Sequence, residues 1–158
     1  MINKLPKNKT ARDQGFTLIE LLVVIGILTV LLAIVLIAIN PGRQFSQANN
    51  TKRRSDVNAI LNAVHQYSAD NQGDLSTING GSGTLPATAT DVADSGADIC
   101  DALVPTYIAE LPTDPTDGTE FSSCTTYSAD YQISIGAGNR ITVSAPAAEL
   151  GETISVTR

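Results

Sequence analysis

The feature that most limits this chain is a run of 19 residues, 21–39, without a single charge. As a helix it would be roughly 28 Å long at ~1.5 Å per residue, close to the ~30 Å hydrocarbon core of a bilayer. Such a run is apolar on every face, so it offers water no polar side. The residues before it are basic: Lys4, Lys7, Lys9 and Arg12 stand against the single acid Asp13. Directly at its edge sits Glu20. A carboxylate at the margin of a membrane span is costly, by up to a few kcal/mol depending on depth, and it demands a reason.

Three kinds of N-terminus carry a basic leader and an apolar run. A secretory signal has an apolar core of about 7–15 residues and a small-x-small cut site. Here the run is longer, and Ala38-Ile39-Asn40 is a poor site. A plain single-span anchor accounts for the run but not for Gly15, Phe16 and Glu20. The third kind accounts for all of them. Gly15-Phe16-Thr17-Leu18-Ile19-Glu20, followed at once by the apolar run, resembles the cleavage and methylation signal of type IV pilins and type II secretion pseudopilins.

The resemblance implies a mechanism. A membrane-embedded prepilin peptidase would cut between Gly15 and Phe16, and Phe16 would become the N-methylated first residue. Glycine suits the cut because the missing Cβ opens the backbone to the enzyme. Glu20 would pair with the Phe16 amine of a neighbouring subunit in the filament, since a paired carboxylate is tolerated in apolar surroundings where a lone one is not. The partners implied are the peptidase, other pilin subunits, the assembly platform of the secretion or pilus machine, and the membrane. The function implied is structural: a subunit of a type IV pilus or pseudopilus, polymerised through its N-terminal helix. The alternatives within the family are a type II secretion pseudopilin and a competence pilin aiding DNA uptake. Outside it stands a membrane-anchored binding module that never polymerises, for which Glu20 would have no task.

Four segments follow: a leader over 1–15, a transmembrane or filament-core helix over 16–39, an amphipathic helix over 40–72 and a globular head over 73–158. After Arg54 only Arg140 and Arg158 are basic, against 14 acids from Asp56 to Glu152. That acidic surface repels phosphate backbones, so no nucleic-acid binding is expected of the head. Charge counting leaves orientation undecided, because Arg43 and Lys52-Arg53-Arg54 follow the span. The family resemblance places the leader inside and the head outside. The precursor would then be a single-pass protein of the bacterial cytoplasmic membrane, and the assembled filament would lie in the periplasm or at the cell surface.

The expected fold class is α+β, an antiparallel sheet packed on a long helix in the ladle form of pilins. Asn40-Pro41-Gly42 reads as a break, since proline lacks the N–H and clashes with the preceding turn. Many pilins place a proline about four residues earlier, near what is here Ile37. Helix then resumes. Val57, Ile60, Leu61, Val64 and Tyr67 or Ser68 form an i, i+3, i+4, i+7 stripe, leaving Arg53, Asn58, Asn62 and Gln66 to face outward or toward neighbouring subunits. Asp70-Asn71-Gln72-Gly73 reads as a stop, with Gly73 as the left-handed cap. Residues 73–97, rich in Gly, Ser, Thr and Ala, read as a long surface loop, with an exposed contact or glycosylation site as the sharper alternative. Residues 98–104 read as a helical turn. The segment Leu103-Val104-Pro105-Thr106-Tyr107-Ile108-Ala109-Glu110-Leu111-Pro112-Thr113-Asp114-Pro115 also resembles one common in type II pseudopilins and their relatives, where a short helix leads into the first strand or loop of the head. Strands are expected where Tyr127, Ala129, Tyr131, Ile133 and Ile135 alternate with polar residues. Two more are expected at Ile141 and Val143 and at Ile154 and Val156, the first after turn residues 136–139.

Cys100 and Cys124 are the cysteines of the chain. In an exported head they are expected to form a disulfide. Two cysteines without Cys-x-x-Cys and the lone His65, expected on the solvated helix surface, argue against a transition-metal site. Asp114, Asp117, Glu120 and Asp130 are the weak calcium candidates, because hard oxygen ligands suit Ca²⁺ and some pseudopilins resembling this segment bind it there. Solvated loop acids are the simpler reading, and no cofactor is expected. Nor is an enzyme: no phosphate loop, nucleophile elbow or histidine-based triad is visible.

Overall fold

The computed structural model describes residues 15–81 and 83–158, and the leader before Gly15 lies outside them. The chain divides into two compact units at Pro41/Gly42.

The first unit carries α1, Leu18–Ile39. Thr17 caps it from an extended conformation, its Oγ1 accepting the Glu20 N–H at 3.2 Å; such a cap satisfies one of the donors left unpaired at a helix start. The helix ends at Asn40, whose φ of +49° is left-handed. The expected break therefore falls on the residue before Pro41, where the proline ring disfavours helical backbone.

The second unit opens within α2, Pro41–Asp70. The predicted stripe is its buried face: Val57, Ile60, Leu61 and Val64 are fully buried and Tyr67, not Ser68, completes it. Its last turn closes as a Schellman motif, with Gly73 N–H donating to Ser68 O at 2.7 Å and Gln72 N–H to Ala69 O at 3.4 Å. The left-handed cap position thus belongs to Gln72, φ +58°, with Gly73 one residue beyond it at φ +87°.

The sheet has four antiparallel strands in chain order: β1, Thr90–Ala93; β2, Ser128–Ile135; β3, Ile141–Ala145; β4, Ile154–Thr157. β2 and β3 alternate buried and half-buried residues, as a sheet with one covered face must. Ala129, Tyr131, Ile133, Val143 and Ile154 join the α2 stripe in one core. β1 corrects the reading of 73–97 as a plain loop. It pairs Thr90 with Ile133 and Asp91 with Gln132, then shifts register before Ala93. Leu75, Ile78 and Leu85, from the same segment, are buried as well. The segment is thus part of the core, although its small and polar residues show no strand period.

α3, Cys100–Leu103, is a single turn and is tied to the connection before β2 by the Cys100–Cys124 disulfide, with Cα atoms 5.4 Å apart. Closing a loop of this length is worth about 3.5 kcal/mol in the chain-entropy account. Replacing both cysteines with serine should therefore lower head stability by about 2–4 kcal/mol. Tyrosine fluorescence during chemical denaturation measures this in the head alone, because all four tyrosines follow residue 66 and the chain has no tryptophan. An unchanged midpoint would show the bridge to be mechanically idle.

Candidate functional site

The N-terminal element is built for contact with something other than its own chain. No residue of α1 is buried. Its large side chains remain exposed on every face, from 48% at Val24 to 84% at Ile37. Burying one such side chain fully is worth about 1.5–3 kcal/mol, so lipid or other apolar helices must cover it. The polar exceptions are satisfied locally. Thr29 folds its hydroxyl onto Gly26 O at 2.8 Å, and Thr17 is the cap. Glu20 lies in the first turn, where the positive end of the helix dipole favours a carboxylate. Gly15 and Phe16 precede the helix in exposed, non-helical chain. A Cβ on Gly15 would meet nothing within 4 Å, so the protein's own packing does not require glycine there.

A polar cluster binds the head together. Arg53, expected outside, is fully buried. It sits one turn before Val57 on the same helix face, so it extends the stripe with a charge. Its Nε donates to Asp114 Oδ2 at 2.7 Å and its Nη2 to Asp114 Oδ1 at 2.9 Å, a bidentate pair. Nη1 donates to Glu149 Oε2 at 2.9 Å and to Asn50 Oδ1 at 3.1 Å. Nη2 also reaches the Thr116 hydroxyl. Asn50, also fully buried, exchanges two bonds with the Glu149 backbone. One side of α2 is thereby stitched to the 114–117 turn and to Glu149.

Electrostatics follow from that geometry. Burial by itself would raise the Asp114 carboxyl. The Arg53 hydrogen bond, then the amide and hydroxyl of Thr116 and the Asp117 amide, overcome it and hold the carboxyl at about 2. Glu149 is lowered by Asn49, Arg53 and Ser46, and the Arg53 guanidinium is raised chiefly by Asp114. Burial and then the Asp56 carboxylate, which accepts its hydroxyl at 2.7 Å, push Tyr131 up. A carboxylate depressed in the fold stabilises it above the unfolded value and loses that contribution as pH falls through the folded one. Head stability should therefore fall between pH 3.8 and about 2 on account of Asp114, and Asp114→Asn should flatten that limb. Denaturant midpoints measured across this range check it; an equally steep limb in the variant would assign acid sensitivity elsewhere.

The four calcium candidates do not converge. Asp114 points inward and is saturated by Arg53, Thr116 and Asp117. Asp117 and Glu120 are exposed, and Asp130 is half-buried with the Ser128 hydroxyl on it. Among the described residues no group of three or more His, Cys, Asp or Glu side chains could hold a metal ion. Asp114, the most buried of the four, already has the Arg53 guanidinium as its counterion. His65 is half-buried rather than solvated, with its Nε2 closed off and without a hydrogen-bond partner among the described residues. No sequence signal marked Arg53 or Glu149. For Asp114 the available signal was its place in the segment 103–115 that resembles pseudopilins, where it was expected as a weak calcium ligand rather than as the partner of Arg53.

Among the described residues, an all-round apolar helix of 22 residues, long enough to cross a membrane, follows a Gly-Phe junction and precedes a small α+β head. The family described as Prokaryotic N-terminal methylation motif matches residues 10–36, which include Gly15, Phe16 and Glu20. The chain is 33% identical over 113 residues to type II secretion system core protein G of Escherichia coli (strain K12), an alignment covering 67% of this chain and 68% of the relative. No solved structure matches. The chain belongs to the pilin and pseudopilin family and is a structural subunit of that kind.

Proposed function

We propose that the chain is made as a membrane-anchored precursor, cut between Gly15 and Phe16 by a prepilin peptidase, methylated on Phe16 and polymerised through α1. The leader lies in the cytoplasm and the head outside. The assembly platform of the machine draws the subunit from the bilayer into the filament. The observation that carries this is α1 itself, uncovered on every face. Lipid covers it in the precursor, and the helices of other subunits cover it in the filament. The likeness to a type II secretion core protein favours a pseudopilus among the filaments of this family.

Glu20 supplies register. Its carboxylate meets the Phe16 amine of a neighbour, so each subunit gives an acid to one copy and an amine to another. Glu20→Ala should leave insertion intact, because losing a charge eases insertion, and should leave cleavage intact, because Gly15 is unchanged. Filament yield should fall or helical parameters shift. Coexpression with wild type should be less damaging than the variant alone. Comparing processed membrane-bound subunit with sheared filament tests this, and wild-type filaments with wild-type symmetry would leave Glu20 without the role.

A further inference from the structure

Beyond Ile39, the end of α1, two large apolar side chains are prominently exposed among the described residues: Phe45 at 70% and Leu150 at 49%. The others of this kind lie between Phe16 and Ile39. Phe45 and Leu150 are distant in sequence, but the Glu149 clamp holds them at the same end of the head. Ser46, next to Phe45, donates its hydroxyl to Glu149 Oε1 at 3.0 Å. Asn49, one turn on from Phe45 and on the same helix face, donates to Glu149 Oε2 at 3.0 Å. Leu150 follows Glu149 directly.

Leu150 is unfavourable on two counts. Its φ of +59° is left-handed, which costs a residue with a Cβ about 1–2 kcal/mol. It also leaves apolar surface in water. Asparagine or glycine would relieve both, and Gly151 follows at φ +71°. The turn fixes this backbone, Glu152 N–H donating to Glu149 O at 3.2 Å, and residues held in this way cluster at functional sites.

We infer that Phe45 and Leu150 form an apolar knob that docks on the α1 helix of a neighbouring copy in the filament. The inference rests on the polymerising function proposed above. Its occupant follows from chemistry. The knob is uncharged on an acidic head, and the matching surface this chain supplies is α1, exposed on all sides. Phe45 lies six residues beyond Ile39, the end of α1, so in sequence it follows the assembly segment closely.

The test places a p-benzoylphenylalanine photocrosslinker at position 45, and separately at 150, in the full chain coexpressed with its assembly machinery. Irradiation should give a covalent dimer, with the partner peptide mapping within 18–39. The dimer should vanish when Gly15→Val blocks processing. Adducts to lipid alone, or to a head peptide, overturn the inference. In parallel, Leu150→Asn should keep or raise the thermal midpoint of the head. Filament yield should fall roughly tenfold or more, the equivalent of losing a buried leucine contact. An unchanged yield overturns the knob while the proposed function stands. A lowered head midpoint points to an intrachain role and also overturns it. A wild-type chain that never forms filaments overturns the proposed function itself.

Discussion

Asp114→Ala should destabilise the head by about 3–5 kcal/mol, the usual effect of removing one partner from a buried ion pair. The guanidinium of Arg53 has no exposure to water, so without Asp114 it keeps a buried charge and loses two bonds at 2.7 and 2.9 Å. Glu149 still offers one bond at 2.9 Å from a partly exposed carboxylate, which places the effect toward the lower end. The Thr116 and Asp117 amides lose their acceptor as well. The pair Arg53→Met with Asp114→Leu should recover much of the loss, because apolar replacement removes the desolvation penalty along with the attraction. Denaturant unfolding of the two single variants and the double variant, followed by tyrosine fluorescence, gives the coupling energy. A single-variant loss below about 1 kcal/mol, the range of a surface pair, would show that water reaches this site.

Gly15→Val should be close to all-or-none in effect: full-length precursor accumulates in the membrane and filaments are absent. The substituted side chain meets nothing in the protein itself, so folding of the head should be unchanged. The effect belongs to the peptidase, which must reach a backbone that a β-branched residue crowds. Mass spectrometry of the mature N-terminus reads both sides of the experiment. Wild type should begin at N-methyl-Phe16, while the variant should retain residues before position 16. A variant cut as well as wild type would remove Gly15 from the processing signal.

The clamp around Glu149 carries a consequence for α2. Before Val57, the buried residues of this helix are Asn50 and Arg53, both polar. The first half of α2 is therefore held to the head by directional bonds. Those that end on the Asp114 and Glu149 carboxylates weaken when these groups are protonated, whereas the two Asn50 bonds to the Glu149 backbone and the apolar stripe from Val57 onward do not respond to pH. Acid should accordingly loosen the two halves of this helix in order.

What local sequence determined was everything with a short period. The uncharged run became α1 because its composition forbids a water-facing side. Val57, Ile60, Leu61 and Val64 announced the buried face of α2, since a stripe at helical spacing has one way to face a core. Strands β2, β3 and β4 were legible from alternation, and the disulfide from the presence of two cysteines in a head expected to lie outside the cytoplasm. Tertiary structure decided the rest. β1 exists because β2 offers it an edge: four residues with a register shift and an aspartate carry little strand preference of their own. Gln72, not Gly73, takes the left-handed cap because the bonds to Ser68 and Ala69 place it there. Arg53 looked like a solvated cation because nothing within a helical turn shows that Asp114, 61 residues away, and Glu149, 96 residues away, will close over it. A charge can enter a core only when its counterions arrive with it, and long-range folding alone brings them.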